Sequence, residues 1–375
     1  MKVLVTGSRG FIGKNLLASL RALRKDAEIL TFDRDSAPQD LEAMAAACGF
    51  VFHLAGVNRP QNEREFMEGN RDLTRRLVSA LEKAGNAAPI LFTSSIQAIQ
   101  DNPYGLSKRA AEEVLREHER RTNAPVFIYR LPNAFGKGSR PNYNSAIATF
   151  CHNIARGLPV EVREPDRVLH LAYIDDILDE FLRAMDLSPT RTGADLCQVP
   201  VIHEAKLQSI ADTIRRFQDD FDRGTAPAQD TPLERKLYAT WLSFLPQERW
   251  RHALDMKCDH RGSFSEFLRL GGRGQVSINA AKPGVTKGGH WHHTKSEKFL
   301  VVQGKGRVRL RPVGESHITE FFVSGERLDV VEIPVGYTHD ITNMGESDLI
   351  TVMWASEPFD PEHPDTYFEP VEMGE

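Results

Sequence analysis

Tyr104 and Lys108 stand four residues apart, a spacing that puts two side chains on one face of a helix. Asn102 suits the N-cap of that helix and Pro103 its first position. The pair fits proton donation to a carbonyl oxygen. An unperturbed tyrosine titrates near about 10, and a lysine ammonium beside it favours the phenolate and draws that value toward neutrality. Ser95, nine positions before Tyr104, can hydrogen-bond the same carbonyl. Such a proton donor needs a hydride source, and the N-terminus offers a place for one. The apolar strand Lys2–Thr6 runs into Gly7-Ser8-Arg9-Gly10-Phe11-Ile12-Gly13 and then a helical pattern. Those glycines allow a tight turn and close backbone approach to a pyrophosphate, which the helix N-terminus faces with free N–H groups and its dipole.

Asp33 ends the second strand. A carboxylate there accepts from a ribose 2′-hydroxyl and favours NAD. Arg9 and Arg34 argue the other way, because guanidinium groups beside that ribose suit a 2′-phosphate. The expected cofactor is NADP(H), with NAD as the alternative.

A third constellation lies near the C-terminus. Gly284-x5-His290-Trp291-His292-x4-Glu297-x6-Gly304 follows the first cupin motif, and Pro334 to Asn343 reads PxGxxHxxxN around His339, as in the second. The leading glycine of the second motif departs, since Gly325 lies nine residues before Pro334 rather than six. Alternate residues of a strand share a face, so His290 and His292 converge. Glu297 can join from the next strand and His339 from a remote one. Three imidazoles and a carboxylate suit a divalent metal, zinc foremost, with Fe, Mn and Ni also compatible. A barrel that uses these histidines for acid–base work without metal is the alternative. His293 falls on the opposite face. Tyr337 is the leading candidate for a general base here and is equally readable as a packed aromatic; Glu297, Lys298 and His293 follow it.

These groups need elements to hold them. Strands at 2–6, 28–32, 51–54, 90–92 and 126–130 alternate with helical patterns at 11–23, 41–47, 72–83 and 107–121. That alternation predicts a parallel sheet with helices on both faces. From about 140 to 245 helical patterns at 145–156, 175–185, 208–217 and 234–242 suggest a small lobe. Beyond it, short strands at 275–280, 297–302, 306–311, 320–323, 329–333 and 349–354 follow one another between Gly and Pro turns, the pattern of an antiparallel all-β domain. The expected domains are 1–246 and 247–375.

The 375 residues are 41% apolar and 26% charged, which fits two or three globular domains. A net charge of -5 gives no basic field for nucleic acid or anionic lipid. No apolar run approaches the roughly 18–20 residues of a membrane span, and the N-terminus has no signal-peptide pattern. Cys48, Cys151, Cys197 and Cys258 have no framework spacing and read as reduced thiols, so a cytoplasmic protein is expected.

Over nearly its whole length the sequence resembles the CapF family, bifunctional capsular-polysaccharide enzymes of bacterial UDP-N-acetyl-L-fucosamine synthesis. The shared stretches are HLAGVNRP (53–60), SSIQAIQDNPYG (94–105), PNYNSAIATFC (141–151), KGGHWHHTKSEKFLVV (287–302), IPVGYTH (333–339) and DTYF (365–368). The resemblance implies an α/β Rossmann-type parallel sheet of the extended short-chain reductase kind, followed by an all-β cupin barrel (jelly roll). It implies that the cupin epimerises C3 of a UDP-2-acetamido-2,6-dideoxy-4-hexulose. The reductase then reduces the C4 ketone with NADPH to UDP-2-acetamido-2,6-dideoxy-L-talose. It further implies a UDP-sugar substrate and a homo-oligomer, a dimer or dimer of dimers. Ser95 aligns with the last serine of the family pattern, in preference to Thr93 and Ser94, and joins Tyr104 and Lys108 in catalysis. Gly7, Arg9, Gly10, Phe11, Ile12, Gly13, Asp33, Arg34, Leu54, Ala55, Gly56 and Leu131 line the cofactor with Tyr104 and Lys108. Asn133, in RLPNAFG, falls between nicotinamide and sugar, and Asn142, Tyr143 and Asn144 border the sugar nucleotide. The two reactions have a chemical order: a 4-ketone acidifies the C–H at C3, and its reduction destroys that acidity, so epimerisation comes first. A reductase whose cupin serves only dimerisation is the alternative.

Overall fold

A computed structural model describes residues 1–193 and 195–372. The chain forms two compact units, Met1–Arg215 with Gln229–Pro246, and Arg216–Ala228 with Gln247–Glu375.

The first unit begins β1 (Lys2–Thr6), α1 (Phe11–Leu23), β2 (Glu28–Phe32), α2 (Pro38–Ala47), β3 (Phe50–His53), α3 (Arg64–Phe66), α4 (Leu73–Lys83), β4 (Ile90–Ser95), α5 (Pro103–Thr122) and β5 (Val126–Leu131). It continues as β6 (Asn133–Phe135), α6 (Ala146–Ile154), β7 (Val168–Tyr173), α7 (Ile174–Met185), β8 (Arg191–Thr192), β9 (Leu196–Cys197), β10 (His203–Lys206), α8 (Leu207–Asp222, which passes into the second unit) and α9 (Pro232–Leu242). The main sheet has the order β2-β1-β3-β4-β5-β9-β8, parallel except for β8. β1 and β3 are buried along nearly their whole length, because helices cover both faces and neither strand alternates in polarity. The strand order reverses between β1 and β3, which opens a crevice at their carboxyl ends. This is the expected Rossmann-type arrangement. A second small sheet, β10-β7-β6, stands in the lobe where helices alone were expected.

Two helices shape that crevice. α5 starts where Asn102 Oδ1 accepts from Gly105 N at 2.8 Å, with Pro103 first, and ends at Asn123 in the left-handed region (φ 56°). The helix leading into α4 is π-wound over Met67–Asp72. Its extra residue turns Asn70 inward, to 1% exposure.

The second unit is all-β: β11 (Met256–Asp259), β12 (Gly262–Arg269), β13 (Gln275–Ala281), β14 (Thr286–Trp291), β15 (Glu297–Gln303), β16 (Lys305–Pro312), β17 (Thr319–Ser324), β18 (Val330–Ile333), β19 (Tyr337–Asn343), β20 (Leu349–Ala355) and β21 (Tyr367–Phe368). They form two antiparallel sheets, β11-β12-β13-β20-β15-β18 and β17-β16-β19-β14-β21. One apolar cluster fills the space between them, with Phe299, Val301, Val331 and Leu349 from the first sheet and Val308, Leu310, Val323 and Ile341 from the second. Among the described residues no helix is long and apolar enough to cross a membrane.

Candidate functional sites

In the first unit, the glycine turn is shaped by close packing. Gly7 has φ +72°, and a Cβ there would lie 2.7 Å from the backbone of Ala55. A Cβ on Gly13 would lie 2.3 Å from Gly7 O and 2.7 Å from Ser8 Cα. Gly10 N bonds Gly7 O at 3.1 Å and caps α1. Phe11 and Ile12 open α1 half-buried, and Leu54, Ala55 and Gly56 follow β3 across the crevice. Asp33 accepts from Ser8 Oγ at 2.5 Å and from Arg9 N at 3.2 Å. Arg9 pairs with Asp35 at 2.8 Å, whereas Arg34 is exposed.

Ser95, Tyr104, Lys108 and Leu131 meet at the carboxyl end of the sheet. Ser95 ends β4 directly opposite Leu131 on β5. Its Oγ accepts from Gln97 N at 3.2 Å, which caps a short 3-10 turn. Burial raises the Tyr104 phenol above its ordinary value, and a hydrogen bond with Ser95 opposes that rise. Lys108 follows Tyr104 one turn later on α5. It is buried and needs an acceptor, so its Nζ donates to Thr93 O at 3.0 Å. Burial draws Lys108 down to about 8, with Glu112 pulling the other way.

A polar shell that motif reading missed surrounds these groups. Asn70 Nδ2 donates to Ser107 Oγ at 2.9 Å and Val57 O at 3.0 Å, and its Oδ1 accepts from Val57 N. Gly56 makes room for it: a Cβ there would lie 2.7 Å from Asn70 Oδ1 and 3.0 Å from Lys108 Nζ. Glu112, fully buried, accepts from Ser94 Oγ at 2.6 Å and from both Arg130 nitrogens at 2.9 and 2.7 Å. His53 bridges Thr6 at 2.7 Å and Thr74 at 2.9 Å, and burial lowers it to about 3, so it stays neutral. A π-wound turn and a buried i+4 glutamate leave no signature that a sequence pattern would flag.

The predicted substrate residues are more dispersed. Asn133 lies on β6 and donates to His170 O at 3.2 Å. Asn142 takes a left-handed conformation (φ 54°), with Thr149 Oγ1 accepting from its N–H at 3.0 Å, and Asn144 is exposed. The Tyr143 ring carries two guanidinium groups, Arg140 at 5.0 Å and Arg59 at 5.7 Å from its centroid. Arg59 was not among the expected residues.

In the second unit His290, His292, Glu297 and His339 come together, with one candidate ligand atom from each within 4.8 Å of the others. His290 on β14 faces His339 on β19 directly in the ladder. His292 lies one residue past the end of β14, so the turn rather than strand alternation aims it. Glu297 opens β15 in the opposing sheet, which puts the cluster between the sheets. Glu297 Oε2 is 3.6 Å from His292 Nε2 and 3.2 Å from His339 Nε2. All three atoms are buried without a hydrogen-bond partner. Orphaned acceptors and imidazole nitrogens converging on one point are what a divalent cation would satisfy. His292 Nδ1 bonds Asp365 O, and His339 Nδ1 bonds Tyr337 O at 3.2 Å. Carbonyls only accept, so both histidines present a bare Nε2 inward. Burial, with His339 next, lowers His290 to about 4 and keeps it neutral. Tyr337 is half-buried with its ring against the apolar cluster, and His293 is exposed.

Comparison with known proteins covers both units. Residues 3–193 match the NAD dependent epimerase/dehydratase family and residues 257–367 the polysaccharide biosynthesis C-terminal domain. UDP-2-acetamido-2,6-beta-L-arabino-hexul-4-ose reductase of Pseudomonas aeruginosa is 45% identical over 98% of each chain. The capsular polysaccharide assembling protein CapF of Staphylococcus aureus superposes with a TM-score of 0.92 at 45% identity, over 99% of this chain and 100% of that one. UDP-glucuronic acid 4-epimerase of Bacillus cereus, at 15% identity and TM-score 0.53 over 65% of this chain and 98% of its own, shares the fold alone. End-to-end likeness in sequence and structure carries more than either domain match, and on it the chain belongs to the CapF family.

Proposed function

We propose that this chain is a bifunctional nucleotide-sugar enzyme. Its second unit, whose residues 247–375 we read as a cupin jelly roll, epimerises C3 of a UDP-2-acetamido-2,6-dideoxy-4-hexulose. Its first unit, the core of a reductase domain we read as 1–246, reduces the C4 ketone to UDP-2-acetamido-2,6-dideoxy-L-talose, a step toward UDP-N-acetyl-L-fucosamine. The observation that carries this reading is the presence in one chain of a Ser95–Tyr104–Lys108 set and a three-histidine, one-glutamate cluster. These serve the two reactions open to one 4-ketose. The hexulose reductase from Pseudomonas aeruginosa, alike over 98% of its length, supports the substrate class.

NADP(H), held against the glycine turn and Arg34, supplies the hydride when bound. Tyr104 gives its phenolic proton to the carbonyl oxygen as C4 becomes a carbinol, and Ser95 orients that oxygen. Lys108 is the cation that stabilises the phenolate left behind. A divalent metal, zinc in this reading, supplies at His290, His292, Glu297 and His339 the positive charge that stabilises an enolate. At the barrel a base takes H3 from one face and a proton returns to the other, with no net redox change; Tyr337 is the candidate for one of these roles. The chain works as a homo-oligomer, a dimer or dimer of dimers.

The test is incubation of the 4-keto sugar nucleotide in D2O without NADPH. Deuterium entering at C3 in the wild type, and not in His339→Ala, supports the reading. NADPH oxidation without any exchange at C3 would reduce the second unit to a scaffold.

A further inference from the structure

The DTYF stretch, Asp365 to Phe368, has no task in either reaction, yet it lies against the histidine cluster. Tyr367 and Phe368 are β21, which adds onto β14 with Phe368 opposite His290 and Tyr367 opposite Trp291. Asp365, just before the strand, makes two kinds of contact. Its carboxylate accepts from the backbone N–H groups of His293, Thr294 and Lys295 at 2.9, 2.8 and 3.0 Å. These three amides form the turn between β14 and β15, with His292 at its entry and Glu297 at its exit. Its backbone carbonyl accepts from His292 Nδ1. That contact fixes the proton on Nδ1 and leaves Nε2 bare, facing Glu297.

The segment is anchored well enough to impose this geometry. Glu369 N bonds Gly289 O at 3.0 Å, and Thr338 Oγ1 donates to Glu369 O. Arg311, 1% exposed, donates to the Glu369 carboxylate at 2.6 Å, Pro370 O at 3.0 Å and Val371 O at 2.8 Å. A guanidinium is buried so deeply only where acceptors satisfy it, so the strap and Arg311 hold each other in place.

We propose that Asp365 is a positioning residue for the four-ligand cluster: its carboxylate sets the turn that carries two ligands, and its carbonyl sets the tautomer of His292. The proposal rests on the metal-site reading above. A residue that merely closed a turn would affect folding stability and leave both tautomer and metal affinity alone.

The experiment uses full-length protein with Asp365→Ala and Asp365→Asn. Imidazole 15N spectra of the metal-free forms report the His292 tautomer, and competition with a chelating dye reports Zn2+ affinity. Asp365→Ala removes the carboxylate's three turn contacts, so His292 is no longer held against the carbonyl of residue 365; its tautomers should mix and Zn2+ binding should weaken about 10–100-fold, the cost usual for losing an orienting partner. Both variants keep the backbone carbonyl; Asp365→Asn also keeps one acceptor oxygen, should fall between, and carries the same readings where the alanine variant does not fold. An unmoved tautomer signal with Zn2+ affinity within about twofold of wild type overturns the proposal. A wild type that binds no Zn2+, together with a shifted tautomer in Asp365→Ala, overturns the metal reading and supports the positioning role.

Discussion

Tyr104 and Lys108 illustrate how burial changes what a motif does. The i, i+4 spacing suggests an ammonium beside a phenol, and Lys108 is buried with one of its three N–H groups donated to Thr93 O. Tyr104→Phe should abolish ketone reduction, because in the proposed reaction Tyr104 delivers the proton, while cofactor binding measured by fluorescence titration stays within about threefold. Near-normal NADPH oxidation by that variant would remove Tyr104 from the reaction. Lys108 titrates near about 8 because burial disfavours its charge. It carries its proton below that pH and loses it above, so kcat/KM for reduction should fall as pH rises through about 8. Glu112 holds the value up, so Glu112→Gln should move the fall to lower pH; a profile flat from pH 7 to about 9.5 would exclude Lys108 as the controlling cation. Cofactor choice is also decided residue by residue. Arg9 pairs with Asp35 at 2.8 Å and reaches Asp33 at 3.9 Å, whereas Arg34, next to Asp33 in sequence, is exposed. Arg34→Ala should raise KM for NADPH about tenfold relative to NADH, the loss of one charge-assisted bond. Equal effects on both cofactors would count against a 2′-phosphate contact.

The elements show which parts of this arrangement a sequence can reveal. Periodicity and glycine spacing find β1, the turn and α1, because one local stretch of chain makes the whole feature. The same holds for α5, whose cap and first proline lie within four residues of Tyr104. Other parts depend on pairings far apart in sequence. Asp365 lies 73 positions from His292, and Glu112 lies 18 from Ser94 and Arg130. β14 contains consecutive glycines, and a bulge between Gly288 and His290 breaks its alternation, so a strand there is hard to read. The helical pattern at 72–83 finds α4, whereas the π-wound turn over Met67–Asp72 before it departs from the helical period and has no such mark. Glu112 ties α5, which carries Tyr104 and Lys108, to β4, which ends at Ser95, and to β5. Glu112→Ala leaves Arg130 without its bidentate partner, and breaking such a pair costs about 3–5 kcal/mol. A urea titration followed by circular dichroism should register that loss in the transition of the first unit. A cost below about 1 kcal/mol would mean that the pair is solvated.

At the scale of the whole molecule, two units with separate cores share one substrate carbonyl in the proposed sequence. Epimerisation alone is an equilibrium between two ketoses and cannot run to completion. Hydride transfer consumes the epimer and removes the acidic C–H, which makes the overall conversion directional. If the intermediate leaves one site and diffuses to the other, a defect in either unit should be repaired by a second molecule. His339→Ala lacks one member of the barrel cluster, and Tyr104→Phe lacks the proposed proton donor of the reductase. Each alone should give no 6-deoxytalosamine nucleotide from the 4-keto substrate with NADPH. Mixed, they should restore it, with a lag that shortens as enzyme concentration rises, because the epimer must build up in solution before reduction proceeds. Nucleotide-sugar chromatography follows both species. Product from His339→Ala alone would mean that the barrel is not the epimerase. An inactive mixture, with each variant still competent in its own half-reaction, would mean that the ketone never leaves the protein between the two steps.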